Sequence, residues 1–425
     1  MFAQIDKIIT AIDNAVWGLP LICLIMATGI FLTARLGLVQ IRHLGKAFKF
    51  MFKDEEDGSG EVTSFGALCT ALSATIGTGN ITGVATAIAL GGPGALFWMV
   101  IAAFFGMATK YAEGLLAIKY RTIDEDGHVL GGPFYYIENG MGKKWTWLAK
   151  IFAFFGAGVG LFGIGTFTQV NSIASAVKNF FDPDMAHTVS LLGGNYSWAT
   201  VIAGLFLTVC VGLVVLGGIQ RIAKVSEIIV PFMAVLYVGL ARGIFSNESG
   251  LGSAPIAAAA ARTKEPVRQG LVSMTGTFID TIVICTMTGL SIVIAGSWLN
   301  PELEGVAITM DAFQKGLPFP SFVATFSLML CLVFFAFTTI LGWNYYGERC
   351  VEYLFNRNKA VVMGYRILYI LAVFIGPYMT VKAVWNIADI FNALMAFPNL
   401  IALLALNGVI VKETRDFHAK HNGSY

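Results

Sequence analysis

The feature that most constrains this chain is a succession of apolar runs, each about as long as a bilayer is thick. Crossing the hydrocarbon core as a helix takes ~20 mostly apolar residues. Such runs recur at 16–34, 65–91, 94–118, 147–177, 197–217, 222–241, 268–297, 320–343, 364–380 and 383–411. Backbone at membrane depth must be hydrogen-bonded internally, so runs of this length predict helices. The composition agrees: 56% hydrophobic, 13% charged and a mean hydropathy of +0.72, against about a quarter charged residues in a soluble domain. No linker or low-complexity block divides the 425 residues. We expect one all-α integral membrane domain over 1–425, multi-pass. The run 16–34 is followed by Arg35 and has no preceding basic stretch of the kind a cleaved signal carries, so it reads as a retained span.

A net charge of +2 gives no reason to expect a nucleic-acid partner. The six cysteines form no CxxC pair and mostly fall inside apolar runs, which makes them buried thiols. The five histidines lie outside those runs, so no intramembrane histidine metal site is expected.

The placement of Lys and Arg orients the spans. Arg35, Arg42, Lys46, Lys49 and Lys53 put the loop after the first run in the cytoplasm. Inside and outside loops then alternate as far as Arg221 and Lys224, which are inside. Span 222–241 should therefore end outside, yet Arg242, Arg262, Lys264 and Arg268 mark the next loop as inside. Asn247-Glu248-Ser249 is too polar to supply a crossing. One crossing is missing near 240–242.

Within 65–91, Gly77-Thr78-Gly79-Asn80 can leave helical geometry cheaply. An unwound turn at membrane depth exposes carbonyls and N–H groups that are useful only if they line a cavity. The carbonyls would coordinate a cation, and the following half-helix would point its N–H groups at a carboxylate. The alternative is a small-residue packing face between helices. Gln169 and Asn171, late in 147–177, read either as site amides or as interhelical hydrogen bonds. Thr338-Thr339 could supply oxygens to a dehydrated sodium ion, or bond back to their own helix. Asp280 and Asp389 are carboxylates inside spans and must be satisfied by a partner. The glycine-rich polar stretch 246–255, with Asn247 and Glu248, is a cytoplasmic gate or a plain loop.

Several blocks together resemble the alanine/glycine:cation symporter family, also called sodium:alanine symporters. They are Ala71–Ile81, Gly91–Gly94, Gly131–Tyr136, Phe245–Pro255, Gly276–Thr281, Phe337–Thr339 and Phe397–Asn399, spread over nearly the whole chain. The resemblance implies a leucine-transporter-type inverted-repeat fold of two five-helix repeats with one extra helix before them. It implies uptake of a small neutral amino acid, alanine or glycine, with sodium or sometimes protons as the coupling ion, across the plasma (inner) membrane. No cofactor is implied. It places Gly77, Thr78, Gly79, Asn80 and Gln169 at the substrate, and Ile76, Asn80, Ala336, Thr338 and Thr339 at a sodium site. Family members carry a further stretch between the equivalents of Leu240 and Arg242, with the first half of the sixth core helix. Its absence coincides with the lost crossing.

A cation-driven transporter is thus the leading expectation. The competing one is a degenerate, transport-inactive member of the same family, motivated by the gap. An enzyme is not expected: the sequence has no HExxH pair and no G-x-S-x-G elbow.

Overall fold

The computed structural model describes residues 11–12, 15–53, 59–125, 127–163, 165–191, 194–240, 248–378 and 381–421, with backbone only at 235–236, 238–240, 381–388 and 421. The first helix described without interruption is α1 (Leu19–Arg35), followed by two short helices, α2 (Val39–Arg42) and α3 (Leu44–Met51). Helix α4 (Ser64–Thr75) starts where the Thr63 hydroxyl accepts the Gly66 N–H at 2.8 Å, and it stops at Ile76, whose backbone is extended. A π-helical turn at Gly79–Gly83 leads into α5 (Val84–Gly91), and a tight turn into the 26-residue α6 (Gly94–Lys119).

Strands β1 (Thr122–Ile123) and β2 (Val129–Leu130) form a small antiparallel hairpin, pairing Thr122 with Leu130 and Ile123 with Val129. Helices α7 (Pro133–Gly140), α8 (Thr146–Phe162) and α9 (Phe167–Phe181) follow. A second hairpin, β3 (Thr188–Leu191) with β4 (Gly194–Ser197), precedes α10 (Trp198–Val215), which is capped by the Ser197 hydroxyl. Then come α11 (Gly218–Leu240), α12 (Ala254–Ala259), α13 (Pro266–Thr277), a second π-helical stretch at Phe278–Cys285 and α14 (Thr286–Ala295). The chain ends with α15 (Val306–Gly316), the 34-residue α16 (Ser321–Leu354), α17 (Lys359–Ile375), α18 (Val381–Ala405) and α19 (Asn407–His421).

The molecule is mostly helical, as expected; two small hairpins, in the loops between the apolar runs, are additions that the all-α expectation did not include. Both lie in polar segments outside the apolar runs, where backbone pairing costs no lipid contact.

The span count also differs. Among the described residues, six helices are long and apolar enough to cross a membrane, or seven if the bent pair Asp389–Ala405 and Asn407–Lys420 is one span. Ten runs were read from the sequence. The difference lies in three of them: α1 has only 17 residues, 65–91 is interrupted, and α11 ends in side chains outside the described residues. The junction at 241–247, where a crossing was expected to be missing, lies outside the described residues, and so does Asn247.

Large apolar side chains are plentiful on the surface, including Phe97, Trp98, Phe206, Leu213 and Ile294. An aqueous monomer rarely shows so much contiguous apolar surface, whereas lipid solvates it. Small residues let the inner helices approach closely. A Cβ on Gly342 of α16 would stand 2.7 Å from the Ala74 nitrogen and Cβ of α4. That contact sets α16 directly against the end of the broken helix.

Candidate functional site

The break between α4 and α5 is where the polar groups converge. Ile76 leaves the helix, and its carbonyl oxygen lies 3.1 Å from the Thr339 hydroxyl of α16. Gly77 donates its N–H to Asn80 Oδ1 at 2.8 Å, and Thr78 donates its N–H to Gln169 Oε1 of α9 at 3.2 Å. Asn80 Nδ2 donates to Asp280 Oδ1 at 2.8 Å, and the Thr281 hydroxyl donates to Asp280 Oδ2 at 2.8 Å. One residue deeper, the Thr309 hydroxyl of α15 donates to the Ile81 carbonyl at 2.9 Å. Elements from four parts of the chain thus supply partners that the unwound backbone could not find in lipid. All of Ile76, Thr78, Asn80, Gln169, Asp280 and Thr339 are buried.

Gly77 is required by space. A Cβ there would lie 2.7 Å from Thr339 Oγ1 and 3.3 Å from the Gln169 amide. The Thr78 hydroxyl is buried with no hydrogen-bond partner among the described residues. A buried hydroxyl without a partner is uncommon in a folded protein.

The two adjacent threonines separate. Both bond back to their own helix, Thr339 to the Phe335 carbonyl at 2.9 Å and Thr338 to the Phe334 and Phe335 carbonyls at 3.1 Å; Thr339 also reaches across to Ile76, while Thr338 touches Met233 Sδ at 3.6 Å. Ala336 is fully buried on the same helix. A buried carbonyl and a buried hydroxyl are neutral oxygen donors, the type that hard cations take.

The remaining sequence-singled residues lie elsewhere. Asn171 is half-buried and accepts from Ser175 one turn on at 3.4 Å. Asp389 is half-buried on α18, where its carbonyl accepts the Trp17 indole N–H at 2.7 Å. Glu248 is buried at the start of the 248–253 loop with a left-handed backbone (φ 49°), and it accepts the Ser253 hydroxyl at 2.6 Å.

That loop is held by residues to which the sequence reading gave no individual role. Glu113 Oε1 of α6 accepts the Gly250 N–H at 3.1 Å and the Asn399 amide at 2.7 Å, and Asn399 also donates to the Gly250 carbonyl at 2.9 Å. Tyr136 donates to Asn399 Oδ1. Lys110, one turn before Glu113, is buried with no partner for Nζ among the described residues. It lines a cavity of about 20 Å³ with Thr75, Gln269 and Ser273, enough for one water. The available signal was a Lys and a Glu three apart inside an apolar run.

On the inner face, the segment before α4 pairs with the segment after α12 through Val62 and Ala261. Arg121 clasps both. Its guanidinium donates to the Ser59, Ala259, Ala261 and Thr263 carbonyls at 2.5–2.6 Å. Glu61 then links this pair to α16 through Arg349 (3.1 Å) and to the hairpin through His128 (2.8 Å). Bonds to Glu352 and Glu61 raise His128 to about 9. Despite burial, bonding to His128 and the nearby Arg349 hold Glu61 below its ordinary value.

An apolar cavity of about 500 Å³ opens between α9, α10, α11 and α16, lined by side chains such as Ile173, Phe206 and Phe337. With no charged residue in its lining, it does not compete with the break as a solute site.

Comparison with known proteins follows the same lines. The model of a family described as the sodium:alanine symporter family matches residues 2–241 and 238–424. An uncharacterized transporter of Haemophilus influenzae is 50% identical over 459 aligned positions, covering 97% of this chain and 96% of its own. A sodium/alanine symporter, AgcS, of Methanococcus maripaludis is 46% identical, covering 97% of each chain. A probable sodium/glutamine symporter of Bacillus subtilis is 34% identical, covering 97% of this chain and 91% of its own. The first alignment is longer than this chain of 425 residues, so at least 34 of its positions have no counterpart here. The family match itself divides at 238–241.

Proposed function

The chain belongs to the sodium:alanine symporter family, and from that membership we propose that it carries alanine or glycine across the plasma membrane together with a sodium ion, by alternating access. This is a multi-pass membrane protein of a family of cation-coupled amino-acid symporters.

The observation that carries it is the convergence of Gln169, Thr339 and Asp280 on one unwound segment. In this reading, the N–H groups after the break and the free Thr78 hydroxyl receive the solute carboxylate, with Gln169 exchanging its bond to Thr78 for one to the solute. Sodium sits between the Ile76 carbonyl and the Thr339 hydroxyl, with Asn80, Ala336 and, after rotation about χ1, Thr338 completing the oxygen set. The neutral donors suit an ion that must leave again. One sodium moving through 100 mV supplies about 2.3 kcal/mol, and a tenfold sodium gradient adds about 1.4 kcal/mol. At one ion per solute, that sustains a solute gradient on the order of several hundredfold.

The fold is proposed as the inverted-repeat, leucine-transporter type, with the partner of the broken helix shortened in this chain. The failed charge alternation near 240–242 and the family match divided at 238–241 support that shortening. Asn247, Glu248 and Asp280 then act around the gate, and Asp389 stabilises the outer helices.

Equilibrium binding of radiolabelled alanine to purified protein tests the reading. Alanine binding that tightens with sodium, and weakens about tenfold or more in Gln169→Ala, is the expected result. Binding indifferent to both sodium and Gln169 would sink it.

A further inference from the structure

A second basic site lies away from the break, at the inner end of α1. The chain reverses there through Gly37 and Leu38, both with left-handed backbone (φ 61°). Local hydrogen bonds hold the turn: the Leu38 N–H donates to the Thr33 carbonyl at 3.0 Å, and the Leu38 carbonyl accepts the Ile41 and Arg42 N–H groups at 3.0 and 3.1 Å. Its effect is to bring Arg42 back over the turn, where a Cβ on Gly37 would lie 3.1 Å from its guanidinium, and into the same cavity as Arg35. Helix α19 closes the other side with Thr414, Arg415 and His418. Together they line a cavity of about 460 Å³.

No carboxylate lines this cavity. Among the described residues Arg35, Arg42 and Arg415 have no acidic partner, whereas Arg349, Arg357 and Arg366 each pair with a glutamate or aspartate. The nearest acids of α19 are engaged elsewhere or face away: Glu413 pairs with Lys119 at 2.8 Å, and Asp416 lines a separate cavity with Lys264 and Lys420. The excess positive charge is felt by His43, stacked on His418 at 4.1 Å. Burial, then His418, Lys46 and Arg42, lower its pKa to about 4.

The charge pattern suggests the ligand. The apolar α1 exposes Ile22, Ile30 and Phe31 and ends at Arg35, and the basic loop that follows, read as cytoplasmic, puts the cavity at headgroup level. Beside Arg42, Leu38 and Ile41 are exposed on an interfacial helix, Ile41 by 61%, where apolar side chains dip toward acyl chains. Guanidinium groups match phosphate geometry. We propose that Arg35, Arg42 and Arg415 form a binding site for the phosphate headgroup of an anionic phospholipid of the inner leaflet. Basic pockets between membrane helices on the cytoplasmic side hold such headgroups on general grounds. The site joins the first helix to the last one, clamping the two ends of the chain through a lipid.

The test is native mass spectrometry of the full chain in neutral detergent, titrated with phosphatidylglycerol, cardiolipin or phosphatidylcholine, with inorganic phosphate as competitor. It does not depend on transport. Anionic lipid should bind in preference to phosphatidylcholine, and Arg42→Gln and Arg415→Gln should each weaken it about fivefold. Arg415→Lys should retain most of it, and Lys143→Gln, on the same face but outside the cavity, should change nothing. Equal retention of all three lipids, or insensitivity to both glutamine variants, overturns the proposal. Displacement by millimolar inorganic phosphate overturns the lipid assignment in favour of a soluble anion. Should Arg415→Gln fold poorly, Arg42→Gln on the exposed α2 reads the same outcome.

Discussion

Thr339 and Thr338 are neighbours in sequence, but the helix aims them differently. Only Thr339 meets the break, at the Ile76 carbonyl. Thr339→Ala should therefore raise the sodium needed for half-maximal alanine binding about tenfold, the worth of one oxygen ligand at ~1.4 kcal/mol. Thr338→Ala, which removes a hydroxyl bonded to its own helix, should shift it less. Equal shifts in a sodium titration would contradict this assignment. The residue types were legible before the geometry: two glycines flanking a threonine, an amide at 169, a hydroxyl pair at 338–339. Their alternatives were not separable by sequence, because back-bonding and coordination use the same hydroxyl. Asp280 illustrates the limit. A carboxylate inside a span demands a partner, but that its partner is Asn80, 200 residues away, is information only packing holds.

At the scale of elements, the close approach of α16 to α4 and the inner-face clasp do the positioning. Gly342→Ala would drive a methyl into the Ala74 backbone. Such overpacking costs ~1–3 kcal/mol and should lower the thermal unfolding midpoint in detergent; an unchanged midpoint would show that α16 yields freely. The clasp makes a pH prediction. His128 faces Glu61 and Glu352 with Arg349 opposing it, and Asp124 on the same hairpin pairs with Arg357. A raised histidine pKa stabilises fully below the ordinary value near 6.5 and loses that contribution as pH rises through about 9. The lowered Glu61 works oppositely, stabilising above its ordinary 4.5 and losing hold as pH falls below it. Hydrogen exchange over 121–130 should thus be slowest between about pH 4.5 and 6.5, after correction for intrinsic rates, and loosen toward pH 9. His128→Gln should flatten the alkaline side; an unaltered profile would remove His128 from the clasp. None of this was legible in the sequence, since Arg121, His128 and Glu61 sit in loops far apart along the chain, where no local pattern pairs them. The long helices were, because apolar length alone specifies them. The interrupted and charge-bearing ones, 65–91 and α11, were legible only as runs.

For the whole molecule, the alternation of charged loops showed an irregularity at 240–242, and the family match divides at nearly the same residues. Fold class and family were readable because both rest on features spread along the chain. The count of crossings is harder to read, because it turns on a short first helix, an interrupted helix and the junction after α11. The central claim is that the break at Gly77–Asn80, with Gln169 and Thr339 against it, still binds and moves its solute in a chain shorter than its aligned relatives. The most direct measurement is alanine uptake by this chain in proteoliposomes under an imposed inward sodium gradient. Saturable accumulation above the external concentration, abolished when a sodium ionophore collapses the gradient, is the predicted result. Alanine that fails to enter, or that merely equilibrates without regard to sodium, would contradict the account.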